Sequence, residues 1–236
     1  MARPSDVIVI GAGIVGGAVA LELARRGASV EIVDERAVGM GATQASAGIL
    51  APYIETRDSS PLFDLAVRSL DLYDEFVAGV TADGGLPVTY RRTGTLDVAT
   101  DEVAVRDLGA RAERLGQRGV AAELVDGRAA RQQEPQLSSD VLGGLLIPAH
   151  GFVAATELTR AAVAAARRHG AQVVEQRRVT RIARFGDHII VETDRGSLEG
   201  DAVVVAAGSW SGSIEIAGAA RAVPVKPVRG QLLCLA

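Results

Sequence analysis

The sequence has few of the residues that form disulfides and metal sites. Its single cysteine, Cys234, excludes an intrachain disulfide and a cysteine-based metal cage, and the three histidines at positions 150, 169 and 188 lack metal-ligand spacing. Aromatic residues make up only 3% of the 236 residues, so we expect a mainly aliphatic core. We therefore predict no metal site, and a protein of the reducing cytoplasm.

An excess of positive charge and a long uninterrupted apolar run are also missing. The formal net charge of −4 argues against partners such as nucleic acids or anionic membrane surfaces. The apolar run 7–21 is too short to span a membrane, and its glycines argue against a signal peptide. Hydrophobic residues at 48% and charged residues at 23% are typical of a soluble globular protein.

Glycine, in contrast, is abundant, and three glycines form a motif between a predicted strand and a predicted helix. Residues 6–10 (DVIVI) indicate a strand, Ile14 to Arg26 a helix, and Ser29 to Val33 a second strand. Between the first two, Gly11 permits a tight turn, Gly13 lets the backbone approach a pyrophosphate, and Gly16 allows close helix–strand packing. This β-α-β unit predicts a dinucleotide site with the anion at the helix N-terminus.

Two further segments bear on which dinucleotide is bound. Asp34 ends the second strand, where ribose hydroxyls would lie, but an acidic residue there suits both NAD and FAD. The loop Gly39 to Pro52 carries Thr43, Gln44 and Ser46 among small residues, which favours FAD, with a plain surface loop as the alternative. In 203–211 (VVVAAGSWS), a strand ends in small residues, and Trp210 either lies near the cofactor or, as we favour, anchors the loop in the core.

The rest of the chain predicts an α/β fold with a discontinuous Rossmann-like FAD-binding domain and an inserted, incomplete α+β substrate domain. We place the first domain at 1–85 and 154–218, and the second at 86–153 and 219–236. Leu62, Leu65 and Leu70 mark the predicted buried face of a helix Pro61 to Val80, and Thr156 is the predicted cap of a later helix. Other predicted elements are a hairpin or strand pair at 88–100, helices at 102–116, 127–133 and 154–169, strands at 142–148, 172–175 and 201–206, a meander at 179–198 and a final strand at 223–236.

Several of these segments together resemble a known family. The stretches DVIVIGAGIVGGAVALELARRG, IVDE, GATQASAGILAP, RRTGTLDVA, EPQL, GGLLIP and VVVAAGSWS are similar to FAD-dependent amino-acid and amine oxidases of the D-amino-acid oxidase superfamily. Within that superfamily the resemblance is greatest to the glycine oxidases of thiamine biosynthesis. The resemblance covers the whole chain in order. In the family, however, the substrate domain continues well beyond the position of Ala236, so we expect that the C-terminal third is lacking.

The resemblance implies a cofactor, a reaction and a set of binding residues. The cofactor is FAD, and the substrate is glycine or a small amino acid or amine. A hydride passes from the substrate α-carbon to the flavin, giving an imine, and oxygen then takes the electrons and leaves as hydrogen peroxide. The imine is hydrolysed or used for the thiazole of thiamine. The implied cofactor-binding residues are Gly11, Gly13, Ile14, Val15, Gly16, Asp34, Glu35, Ala42, Thr43, Ala47, Gly48, Ile49, Val179 and Gly208.

No catalytic side chain is predicted in this chain. Arg229 is a weak candidate for pairing with a substrate carboxylate, and His150 is more readily a structural histidine than a pocket residue. Two alternatives are a D-amino-acid dehydrogenase of the same superfamily, and a catalytically incomplete FAD-binding fragment or subunit. An NAD dehydrogenase leaves the loop at 39–52 unexplained. The predicted partners are the small-molecule substrate and oxygen, with a homo-oligomer as a further possibility.

Overall fold

The computed structural model of the protein describes residues 4–55, 60–228 and 230, which divide into two compact units. The first unit holds the described residues of Met1–Ala47, Tyr73–Thr89 and Ala154–Ala236, and the second those of Gly48–Leu72 and Tyr90–Val153. The α-helices are α1 (Ile14–Arg25), α2 (Pro52–Glu55), α3 (Pro61–Gly84), α4 (Glu102–Gln117), α5 (Gly127–Gln133) and α6 (Ala155–Arg168). The strands are β1 (Ser5–Ile10), β2 (Val30–Val33), β3 (Ile49–Leu50), β4 (Tyr90–Arg91), β5 (Thr95–Ala99), β6 (Glu123–Asp126), β7 (Gly143–Ile147), β8 (Gly151–Val153), β9 (Gln172–Val174), β10 (Val179–Phe185), β11 (His188–Thr193), β12 (Gly196–Val205) and β13 (Glu215–Ile216). Two 3₁₀ helices cover Thr43–Ala45 and Gly208–Ser213.

A seven-stranded sheet in the order β13-β10-β11-β12-β1-β2-β9 forms the centre of the first unit. β1 pairs in parallel with both β12 and β2, and β2 pairs in parallel with β9. On the other side, β10, β11 and β12 form an antiparallel meander. Because β1, β2 and β12 run in the same direction, the loops that follow them meet at one edge of the sheet.

Helices α1 and α6 pack against each other through small side chains. A Cβ added to Gly17 of α1 would lie 3.1 Å from the Val163 Cγ2 of α6, which leaves little room for a larger residue there. Several alanines of the two helices are buried, and their small side chains let neighbouring backbones approach. They include Ala20, Ala24, Ala162, Ala165 and Ala166.

The second unit contains two three-stranded sheets. Their orders are β3-β8-β4 and β5-β7-β6, and every pairing in them is antiparallel. Asp101 caps the start of helix α4: its carboxylate accepts the Ala104 N–H at 2.8 Å and so satisfies a free amide of the first turn. The core of this unit is aliphatic, as the low aromatic content predicts, and includes Ala99, Leu108, Leu115, Leu145 and Ile147.

The α/β class, the opening β-α-β unit and the meander are confirmed, and two smaller predictions are wrong. Helix α6 follows Ala154 with no side-chain cap, so Thr156 is not the cap. Residues 223–228 form no strand, while 229 and 231–236, including Arg229 and Cys234, lie outside the described residues. Of the two alternatives at 88–100, the strand pair is confirmed and the hairpin is not, since β4 pairs with β8 and β5 with β7.

The predicted buried face of α3 is confirmed at Leu70 and wrong at Leu62 and Leu65. Leu62 and Leu65 are exposed, whereas Phe63, Leu70 and Val77 are buried. These three residues are seven apart, so they form one narrow stripe along the helix. Because Leu62 and Leu65 are hydrophobic, the sequence pattern assigned them to the buried face, although they are exposed. The helix itself is correctly predicted.

The boundaries of the compact units differ from the predicted domain boundaries. Residues 48–72 group with the middle segment, and the described residues after 218 group with the first unit. β3 explains the first difference, because Ile49 and Leu50 pair with Phe152 and Gly151 of β8. Assignment of FAD to one unit and substrate to the other stays a prediction. Within the described part of the chain, no helix combines the length and apolar character needed to cross a membrane.

Candidate functional site

Gly11 occupies the turn between β1 and α1, where a larger residue does not fit. Its φ of 112° is one that glycine favours, and an added Cβ would overlap the carbonyl oxygen of Ala206. The Gly11 N–H donates to the Val33 carbonyl at 2.8 Å, and the Ala206 N–H donates to the Ile10 carbonyl at 2.8 Å. The turn is thus fixed between the ends of β2 and β12.

The first turn of α1 is held close to this turn and to the loop that follows β2. A Cβ on Gly16 would overlap the Gly11 carbonyl oxygen, so the glycine at 16 is a packing requirement. Gly13 precedes the helix and offers no side-chain cap. Instead the Thr43 hydroxyl accepts the Ile14 N–H at 3.2 Å. A residue of the glycine-rich loop therefore lies at the positive end of the helix, where anions are favoured.

Asp34 joins two loops through backbone amides. Its Oδ2 accepts the Ala12 N–H at 2.7 Å and its Oδ1 accepts the Arg36 N–H at 2.8 Å. Glu35 differs, because its carboxylate pairs with the Arg36 guanidinium at 3.1 Å. A carboxylate has about four acceptor positions, so Asp34 retains capacity for ribose hydroxyls. Its structural role is one that the sequence analysis missed.

A cavity of about 380 Å³ lies in the first unit at this edge of the sheet. Its volume is typical of small-molecule sites, which span about 300–1,000 Å³. The walls come from the ends of β1, β2 and β12, the first turn of α1, the loop 40–46 and the 3₁₀ helix Gly208–Ser213. The predicted site residues that line it are Gly11, Gly13, Ile14, Val15, Asp34, Glu35, Ala42, Thr43, Val179 and Gly208.

Four predicted site residues do not line this cavity. Gly16 packs against the Gly11 carbonyl, as described above, and Ala47 ends the part of the loop that belongs to the first unit. Gly48 and Ile49 belong to the second unit. There Gly48 has a φ of 69°, and a Cβ would overlap the Val153 carbonyl oxygen, so contact with β8 explains the glycine.

The cavity also contains residues that the sequence analysis did not single out. Arg36, Arg177 and Arg178 line it together with the carboxylates of Asp34 and Glu35, so cationic side chains outnumber anionic ones. Guanidinium groups bind phosphates well, which suits a dinucleotide. In the sequence, these arginines are marked only by lying within two residues of Asp34 or Val179. Arginine is too frequent in this sequence for such a position to indicate a binding role.

Trp210 also lines the cavity and is not a core residue. It is 41% exposed, and the guanidinium carbon of Arg36 lies 4.2 Å from the centroid of its ring. The expectation that Trp210 anchors its loop in the core is therefore wrong. The alternative, a place near the cofactor, stays a prediction.

His150 lies in the second unit and is fully buried. Its Nδ1 is 2.7 Å from the Thr95 hydroxyl, its Nε2 accepts the Tyr53 N–H at 3.4 Å, and its ring stacks on that of Tyr53. Burial, and then the charge of Arg92, lower the pKa of His150 from 6.5 to about 4. Both ring nitrogens of His150 thus have hydrogen-bond partners and the ring is neutral, as expected for a structural histidine.

Comparison with known proteins places this arrangement in a family. The family described as FAD dependent oxidoreductase (DAO) matches residues 6–236. The glycine oxidase of Geobacillus kaustophilus is 30% identical over 98% of this chain and 61% of its own length. The bifunctional protein ThiO/ThiG of Synechocystis sp. is 32% identical over 100% of this chain and 34% of its own length.

Solved structures agree with the sequence comparison. The crystal structure of the G. kaustophilus glycine oxidase superimposes with a TM-score of 0.86 at 30% identity, covering 90% of this chain and 58% of that one. L-proline dehydrogenase from P. horikoshii gives a TM-score of 0.76 at 27% identity, over 91% of this chain and 55% of that one. The chain thus spans less than two thirds of the length of these relatives. With the family match extending from β1 onward, the chain belongs to the FAD-dependent oxidoreductase family.

Proposed function

We propose that the cavity of the first unit binds FAD, and that the protein oxidises glycine or another small amino acid or amine. The similarity to the glycine oxidase of G. kaustophilus over 98% of the chain is the observation that carries this proposal. It is strengthened by the position of the cavity at the carboxyl ends of parallel strands, where α/β proteins bind nucleotides.

The residues that line the cavity fit the polar parts of FAD. The Val15 amide at the start of α1 and the Thr43 hydroxyl, whose oxygen already accepts the Ile14 N–H, suit the diphosphate. Asp34 and Glu35 suit the hydroxyls of the adenosine ribose. At Gly208 the φ is 53° and nothing lies within 4 Å of an added Cβ, so the backbone there is open to a ligand. These roles, and those assigned above to Ala47, Gly48 and Ile49, are part of the proposal.

FAD would be the two-electron acceptor in such a reaction. The C–N single bond of the substrate becomes a C=N bond as two electrons and two protons leave, and oxygen accepts both to give hydrogen peroxide. The protein contributes orientation and electrostatics, so no catalytic base is assigned to this chain. Similarity to the ThiO/ThiG protein supports the further proposal that the imine enters thiamine thiazole assembly in the cytoplasm.

A dehydrogenase is the second candidate. Structural similarity to L-proline dehydrogenase at 27% identity favours it, and the D-amino-acid dehydrogenase given above as an alternative is of the same kind. Such an enzyme passes electrons to a quinone or dye rather than to oxygen. The other alternative, an FAD-binding chain without activity of its own, predicts a bound flavin and no turnover.

An absorbance spectrum of the purified protein from the near ultraviolet to the visible tests the proposal first. We expect the two bands of bound flavin, either as isolated or after FAD is added and the excess removed. Glycine and sarcosine are then added without oxygen, and bleaching followed by peroxide release on admission of air supports the oxidase. Bleaching without peroxide, with reduction of a quinone-like dye, supports the dehydrogenase. A folded protein that binds no FAD overturns the proposed function.

A further inference from the structure

The side chains of Arg36 and Trp210 form a stacked contact on the wall of the cavity, which we call the Arg36–Trp210 pair. The guanidinium carbon of Arg36 lies 4.2 Å from the ring centroid, within the range of a cation–π interaction. Both residues line the cavity and both remain partly exposed, so the pair lies between the cavity and the solvent.

Three separate segments meet at this pair. Arg36 follows β2, and its backbone N–H is bound by Asp34 at 2.8 Å while its guanidinium pairs with Glu35 at 3.1 Å. Trp210 belongs to the 3₁₀ helix that follows β12. The glycine-rich loop supplies Gly41, where an added Cβ would lie 3.5 Å from Arg36 Nη1 and 3.6 Å from Trp210 Cζ3.

Gly41 shows how closely the loop lies against the pair. Its φ is 137°, a conformation that favours glycine, and an added Cβ would be in van der Waals range of both side chains. Ala42 and Thr43, the next two residues, line the cavity, and Thr43 caps α1. A change in the Arg36–Trp210 pair should therefore shift Ala42 and Thr43, which are among the residues proposed to contact the diphosphate.

We propose that the Arg36–Trp210 pair is a positioning element that holds the loop 39–46 against the cavity and slows the release of bound FAD. The inference rests on the proposed function, because it takes FAD as the ligand. A cation–π contact becomes stronger when it is removed from water, so a ligand that covers the pair strengthens it and is in turn retained by it. The two side chains then act as one unit and not as two independent ligand contacts.

A double-mutant cycle distinguishes these two possibilities. The variants are Arg36→Gln, Trp210→Leu and the double variant, and the measurement is the rate of FAD release from the loaded protein. We expect about 3- to 10-fold faster release in each single variant and no further acceleration in the double variant. Arg36→Lys keeps a cation over the ring and should restore most of the slow release. Arg160→Gln is the matched control, because Arg160 is exposed on α6 and does not line the cavity.

The fluorescence of Trp210 gives a readout that a general loss of stability would not produce. It is the only tryptophan in the sequence, so protein emission excited at the indole band reports on the surroundings of this one side chain. We expect Arg36→Gln to change this emission in the FAD-free protein while the urea midpoint of unfolding stays the same. Release rates that multiply in the double variant, or that Arg36→Gln leaves unchanged, overturn the inference about the pair alone. A wild-type protein that binds no FAD overturns the proposed function and this inference together.

Discussion

Asp34 and Glu35 are adjacent acidic residues with different surroundings, and the difference predicts different effects of removing each charge. In the wild type, the two carboxylate oxygens of Asp34 accept the N–H groups of Ala12 and Arg36. In Asp34→Asn, one of these oxygens becomes an NH₂ group, which cannot accept, so one backbone N–H loses its partner. An unsatisfied donor of this kind costs about 1–3 kcal/mol. Glu35 makes a partly exposed pair with Arg36, so Glu35→Gln should cost less than about 1 kcal/mol. Urea unfolding of both variants measures this, and equal losses would contradict the structural role of Asp34.

His150 predicts a loss of stability in mild acid. Its pKa is about 4 in the folded protein and 6.5 when unperturbed, because burial and Arg92 disfavour the charged ring. Between these values the unfolded chain binds more protons than the folded one, so the free energy of unfolding falls as the pH falls. Protonation would also place a hydrogen on Nε2, opposite the Tyr53 N–H. We expect a loss of roughly 2 kcal/mol between about pH 7 and pH 5 from this residue.

Urea unfolding at the two pH values measures this contribution. His150→Gln should have a lower free energy of unfolding than the wild type at pH 7. The further decrease between pH 7 and pH 5 should be much smaller in this variant than in the wild type. His188→Gln is the control, since His188 is partly exposed beside Asp201 and should leave that part intact. An acid-dependent loss of the same size in His150→Gln as in the wild type would show that other groups cause it.

At the scale of the element, helix α3 allows one substitution to be compared at two positions. Leu70 is 3% exposed and Leu65 is 66% exposed, although a simple helical pattern assigns both to the buried face. Removal of a buried leucine side chain costs about 2–5 kcal/mol, whereas an exposed one costs under about 1 kcal/mol. Leu70→Ala should therefore lower the urea midpoint far more than Leu65→Ala. Similar midpoints would mean that the stripe through Phe63, Leu70 and Val77 is not the packed face.

The long elements were predictable because their own residues determine them. α1 and α6 have the 3.6-residue period of a packed helix, and β1 is a continuous apolar run, so each ends within about two residues of the predicted position. The two-residue strand β3 has no such signal. It forms because β8 offers it backbone partners, which the local sequence pattern does not show. β4 lies within the strand pair predicted at 88–100, but that segment does not show that β8 is its partner.

At the scale of the whole molecule, the backbone part of the site was predictable and the side-chain part was not. The glycine motif and the strand ends place Gly11, Asp34 and Gly208 at one edge, which follows from parallel strand order alone. Arg36 and Trp210 come together only through the packing of two distant loops. The same limit applies to Gly48, whose grouping with the second unit depends on contact with β8.

Binding of FAD to the first unit predicts a defined pattern of hydrogen exchange across the molecule. At about 100 times its dissociation constant, a ligand stabilises the state that binds it by about 2.7 kcal/mol. Amides in the cavity-lining segments 10–15, 40–46 and 206–214 should therefore exchange more slowly with FAD, whereas α4 in the second unit should not change. ADP, which carries the adenosine and diphosphate groups, should protect the same segments more weakly. Slower exchange at Gly48 and Ile49 with FAD but not with ADP would support their predicted place beside the flavin. Slower exchange in α4 with no change in the cavity segments would instead mean that FAD binds elsewhere, and the proposed site would be wrong.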